Sequence, residues 1–156
     1  MQAQNYLKLE TLLHRQAQIS DPSYQAALYL LATNTELTNA AAPFISGNGI
    51  DFAGIKRAAR GFDERTGQLV DVAHNLFSWN SKCAVTPFDL TRMGYPMLDR
   101  VCEALYIAVG QINVQVRDRE TSAPRLELDD NAYRRTKKIN RAIELMQKPS
   151  ENEDGD

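Results

Sequence analysis

A chain of 156 residues with 43 % hydrophobic residues is the size of one domain and long enough to bury a core unaided, so a single helical domain is expected over 1–148. Eighteen Lys and Arg against twenty Asp and Glu give a formal charge of −2, which argues against a generally basic nucleic-acid binder and a membrane-surface polycation. The two cysteines, Cys83 and Cys102, and opening residues without a basic, apolar leader point to a reducing cytoplasm; the longest apolar stretches, around 26–32 and 101–109, fall short of the roughly 20 residues that cross a bilayer.

Tyr6, Leu9, Leu12, Leu13 and Ala17 recur at helical spacing and predict a first helix over 3–18. Asp21 before Pro22 supplies a cap and a first-turn residue whose missing N–H costs nothing, so a second helix is expected over 23–32. It carries Tyr24, Ala27, Leu28, Leu30 and Leu31 and no formal charge. Apolar round most of its circumference, it belongs at the centre. Thr35 reads as the cap of a short third helix through the alanines at 40–42, ended or kinked by Pro43. Residues 46–49, Ser-Gly-Asn-Gly, read as a loop, and Asp51 as the cap of a helix over 52–60 stopped by Gly61.

A fifth helix is expected over 66–78, with Leu69, Val72, Ala73, Leu76 and Phe77 on one stripe. Thr86-Pro87 and Tyr95-Pro96 open two more; the second runs through Leu98, Val101, Cys102, Leu105, Tyr106, Val109 and Ile112 and is expected to pack lengthwise on the second helix. Residues 113–119 alternate like a strand but lack a partner, and read as a fraying helix end and a loop. After Leu128-Asp129-Asp130 comes a basic last helix whose thin seam is Tyr133, Thr136, Asn140, Ile143 and Met146. Residues 149–156 read as a disordered acidic tail.

The side chains that could do chemistry are few. Asp71 and His74, three apart on a helix, can face the same way, and a carboxylate can orient an imidazole. Cys83 with that His74 would make a weak thiol–imidazole candidate for a hydrolase or transferase, but no motif surrounds it, and an unpaired cysteine is most often a small buried hydrophobe. No Cys-x-x-Cys or Cys/His cluster stands in the chain, so no metal and no cofactor is expected. Gly47 and Gly49 lack the preceding strand and the lysine of a phosphate-binding loop and are read as turn chemistry.

Trp79, which joins a large apolar area to one N–H, could anchor a protein partner, with Tyr95 and Tyr133 beside it as candidates, although a tryptophan at the edge of the core is the plainer reading. Lys56, Arg57 and Arg60, with Arg65 near by, form one basic cluster; Arg134, Arg135, Lys137, Lys138 and Arg141 form a second that could follow a phosphate backbone, although a solvated helix face is the plainer reading of the latter.

Asp21-x-x-Tyr24 with Ala27-Leu28-Tyr29-Leu30-Leu31, followed by Thr66 and Val72-Ala73-His74-Asn75-Leu76-Phe77, resembles a family of small uncharacterised helical proteins of Gram-positive bacteria and their phages, over roughly residues 20–80. The resemblance implies a helical fold and a phage or mobile-element setting, and transfers no catalytic residue.

The expectation is therefore an all-α bundle of six to seven helices with a peripheral basic C-terminal helix. Its expected role is a non-enzymatic protein-interaction module modulating a host system. A nucleic-acid-binding protein using the basic helix is the alternative.

Overall fold

The structure, a computed structural model, describes residues 1–149. The acidic tail expected at the C-terminus lies outside the described residues from Ser150 onward. Among the described residues nine α-helices and two small antiparallel sheets make a mostly helical fold. All-α is therefore right in outline; the strands and the larger helix number correct it.

The expected first helix divides into α1 (Gln2–Thr11) and α2 (Gln16–Ile19). The chain turns at His14, whose φ is 62°, in a left-handed region that histidine enters more readily than most residues. The turn keeps Leu13 fully buried and leaves Ala17, expected on the core face, exposed.

Helix α3 (Pro22–Leu31) is the central element: Gln25 and every residue from Ala26 to Leu31 are buried. The Asp21 carboxylate accepts from the Ser23 N–H at 2.8 Å, which fixes where the helix begins. Each fully buried leucine contributes about 2 kcal/mol by leaving water, and α3 has three of them at 1 % exposure or less. Helix α4 (Thr35–Ala41) is capped by Asn34, one residue ahead of the expected Thr35: the Asn34 side chain accepts from the Leu37 N–H at 2.7 Å.

Pro43 then lies in a 3-10 turn (Ala42–Phe44), which leads into a two-residue hairpin of β1 (Ile45–Ser46) and β2 (Gly49–Ile50) around the expected loop. Asp51 caps α5 (Phe52–Ala58). Gly54 within α5 passes so close to the Phe44 ring that a Cβ there would collide with it; close packing explains a glycine in a helix interior.

Helix α6 (Glu64–Phe77) starts at the Asp63 cap, two residues earlier than expected. Helix α7 (Pro87–Met93) opens with a reciprocal capping box between Thr86 and Asp89. Helix α8 (Met97–Ala108) packs, like α6, along α3, and these three helices enclose the core.

Two expectations about α8 change. It ends at Ala108, because Gly110 (φ 76°) takes the left-handed conformation and the N–H groups of Gln111 and Ile112 close back on the Tyr106 carbonyl. Its buried stripe is Val101, Ala104 and Ile107, while Cys102, Leu105, Tyr106 and Val109 face outward.

Residues 113–119 also differ from the expectation of a loop. Asn113–Arg117 is strand β3, paired antiparallel with β4 (Arg125–Asp129) in the register Val114 opposite Leu128 and Val116 opposite Leu126. Val114 and Val116 are buried, and Gln25 of α3 accepts from the Val114 N–H at 3.3 Å, so the hairpin is stabilised by the core it leans on. Helix α9 (Asn131–Gln147) follows directly and has no buried residue. No described helix is long and apolar enough to cross a membrane.

Candidate interaction surface

The most suggestive polar pair acquires a third member. Lys56 on α5 brings its Nζ to 2.7 Å from His74 Nδ1 and 3.4 Å from the Asp71 carboxylate. The imidazole lies flat against Phe52, ring centroids 4.7 Å apart. Burial, followed by the Lys56 charge, pushes His74 below its ordinary pKa, with Asp71 opposing; the neutral ring can then accept from the ammonium through Nδ1. Cys83 is half-buried with its side chain against the core, and the group at hydrogen-bond distance from His74 is Lys56. This arrangement ties α5 to α6.

Among the described residues no three His, Cys, Asp or Glu side chains gather as a metal site. The first basic cluster is divided: Lys56 is occupied by Asp71 and His74, while Arg57 and Arg60 are exposed. Arg65 lies in a small cleft with Asp89, Glu64 and Arg92, where the charges are mixed. It offers no continuous positive surface.

The aromatic anchors separate. Trp79 is 88 % and Tyr95 86 % exposed, so neither belongs to the core. Tyr133 instead packs edge-on against Tyr106, centroids 4.8 Å apart, and its N–H donates to the Gln111 carbonyl at 3.2 Å. These contacts fasten the first turn of α9 to the end of α8.

Beyond that turn α9 stands clear. The sequence-derived seam through Tyr133, Thr136 and Asn140 lines an open cleft of about 470 Å³ to which the body contributes Gln111. Beside it runs a more apolar stripe, Ala132, Thr136, Ile139, Ile143 and Met146, at alternating spacings of four and three. Ile139, Ile143 and Met146 are 53 %, 45 % and 83 % exposed. Arg134, Lys137, Lys138 and Arg141 occupy the opposite face. Arg134 pairs with Asp130 at 3.0 Å, whereas Arg135, Lys137, Lys138 and Arg141 form no ion pair among the described residues.

The outward face of α8 enlarges this surface. Leu105, Tyr106 and Val109 are 44 %, 41 % and 71 % exposed, and Tyr106 joins them to Tyr133. The sequence held a signal for them: α8 is apolar over more of its circumference than one packing partner can cover.

No family model matches the chain, and no curated protein or solved structure shows significant similarity to it.

Proposed function

We propose that this protein is a non-enzymatic protein-interaction module that binds another polypeptide through α9 and the adjoining face of α8. The observation that carries this reading is a 17-residue amphipathic helix with no buried residue, joined to a body whose own core is closed. A helix that stabilises the fold buries its apolar stripe, and one that leaves it in water has that stripe free for a partner. The phage or mobile-element setting, with a host system as target, is supported by the resemblance over residues 20–80.

The test is affinity purification of the tagged chain from its own host beside an Ile139→Asp/Ile143→Asp variant. A stoichiometric protein retained by the first and lost from the second is expected. Equal retention on both would place binding elsewhere, and Trp79→Ala would then be the next comparison.

A second reading has its own observation: the exposed cations of α9 share the face opposite the apolar stripe. That arrangement suits a phosphate backbone, and co-purifying nucleic acid without protein would favour it.

A further inference from the structure

We propose that the apolar stripe of α9 is covered by the α9 of a second copy of this chain, the two helices pairing antiparallel with Thr136 opposite the partner's Met146 and Ile139 opposite the partner's Ile143. The proposal rests on the reading of α9 as a binding arm and names its occupant.

The spacing supplies the first argument. Ala132, Thr136, Ile139, Ile143 and Met146 alternate by four and three, the a/d pattern by which two helices interlock along a seam. In an antiparallel pair each layer combines an a residue of one helix with a d residue of the other. The stated register places all of Thr136, Ile139, Ile143 and Met146 in layers, the smallest of the four against the longest.

Charge supplies the second argument. The positions flanking this seam are Tyr133, Arg135, Asn140, Ala142 and Gln147, and Arg135 alone among them is charged. Arg134, Lys137, Lys138 and Arg141 lie on the outer positions. A strongly basic helix can meet its own copy only when its cations stand off the seam, as they do here. An acidic partner chosen by charge would be met at the flanks, and those are nearly neutral. In the antiparallel register the two Asn140 amides face each other near the two-fold axis, and Arg135 falls toward the end of the overlap.

Size weighs against the parallel alternative. A body of about 130 residues is roughly 36 Å across, whereas paired helix axes lie about 8–10 Å apart. Parallel pairing would crowd two bodies at one end. The antiparallel register separates the two attachment points by about 30 Å at 1.5 Å per residue, and it closes on itself as an isologous two-fold contact requires.

The experiment is sedimentation equilibrium of the full chain from low micromolar to submillimolar concentration, with disulfide trapping as its partner. So short a seam should give a weak, concentration-dependent dimer, and Ile139→Asp/Ile143→Asp should weaken it by about a hundredfold or more while the melting temperature of the body stays unchanged, because neither residue is in the core. In a Cys83→Ser/Cys102→Ser background, a mixture of Thr136→Cys and Met146→Cys chains should cross-link on oxidation while neither does so alone. A monomer at every concentration overturns the proposal, as does self-cross-linking of Met146→Cys alone, the mark of a parallel pair. If the chain stays monomeric while host purification still returns an α9-dependent protein, the occupant is wrong and the binding-arm reading stands; if it dimerises and no other protein is returned, the second copy is the arm's partner.

Discussion

At the scale of single residues, the most consequential contact lies far from the candidate surface. Glu10 on α1 has a side chain 7 % exposed and is met by Arg119, from the β3–β4 connection, at 2.7 Å. Burial, reinforced by the Glu10 charge, raises the nearby Tyr6 phenol above its ordinary pKa, so the hydroxyl stays neutral. Removing the cation would strand a carboxylate in the interior, a loss that reaches 3–5 kcal/mol where both partners are buried. Arg119 is 45 % exposed, and solvent screening reduces the figure. Arg119→Met should therefore cost about 2 kcal/mol in urea denaturation, and adding Glu10→Gln should restore most of it. A double variant as unstable as the single one would place the loss in the arginine's packing instead.

His74 gives a pH dependence whose sign follows from its surroundings. The folded protein holds the ring below its ordinary pKa by burial and by Lys56, while the unfolded chain protonates near about 6.5. Below that pH the unfolded state binds the extra proton, so stability present above about 6.5 is lost as pH falls toward the depressed folded value. His74→Gln keeps an acceptor for Lys56 but does not titrate. Melting temperature followed from pH 8 to pH 5 should decline less steeply in that variant, whatever its absolute stability; parallel curves would assign the acid limb to other groups.

At the scale of elements, helix starts were legible wherever a cap and a proline coincide, as at Asp21-Pro22 and Thr86-Pro87, because both signals are local. The break at His14 is not, since nothing in the pattern of α1 forbids one more turn and a histidine at positive φ leaves no local mark in the sequence. Strand β4 is hard to read from sequence because its alternation rests on just two apolar residues, Leu126 and Leu128, and β3 cannot be recognised as a strand until its partner is. The phase of α8 is ambiguous for a different reason: two apolar stripes compete, and the choice depends on where α3 lies. Of the candidate site, the basic run and Trp79 were visible in sequence, whereas exposure, the property that matters, is set by the whole fold.

The independence of α9 from the core can be measured directly. A chain ending at Asp130 loses no buried residue, and the contacts it gives up, the Tyr133–Tyr106 pair and the Tyr133 N–H bond to the Gln111 carbonyl, are worth about 2 kcal/mol together. Its unfolding free energy should fall by no more than that, while α9-dependent association disappears. A loss of several kcal/mol would mean that α9 belongs to the folding unit and is no free arm.

At the scale of the whole molecule, an overall charge of −2 conceals a segregated surface. Antiparallel pairing of α9 would hide the apolar stripes and leave Arg134, Lys137, Lys138 and Arg141 of both copies facing solvent along one rod. Such a rod attracts polyanions in proportion to the counterions it displaces. With four phosphates neutralised per copy, the slope of log affinity against log salt should be about −3.6, so raising salt from about 50 to 200 mM should weaken duplex binding about a hundredfold per copy. Lys137→Glu/Arg141→Glu should reduce that slope by about half without disturbing the apolar seam, and fluorescence anisotropy with a labelled duplex measures both effects. Retention of the full slope would place the anion site away from Lys137 and Arg141. No binding even at low salt would leave the cations one task, keeping the arms soluble before they meet, and would rule out the nucleic-acid reading while leaving the protein-interaction reading in place.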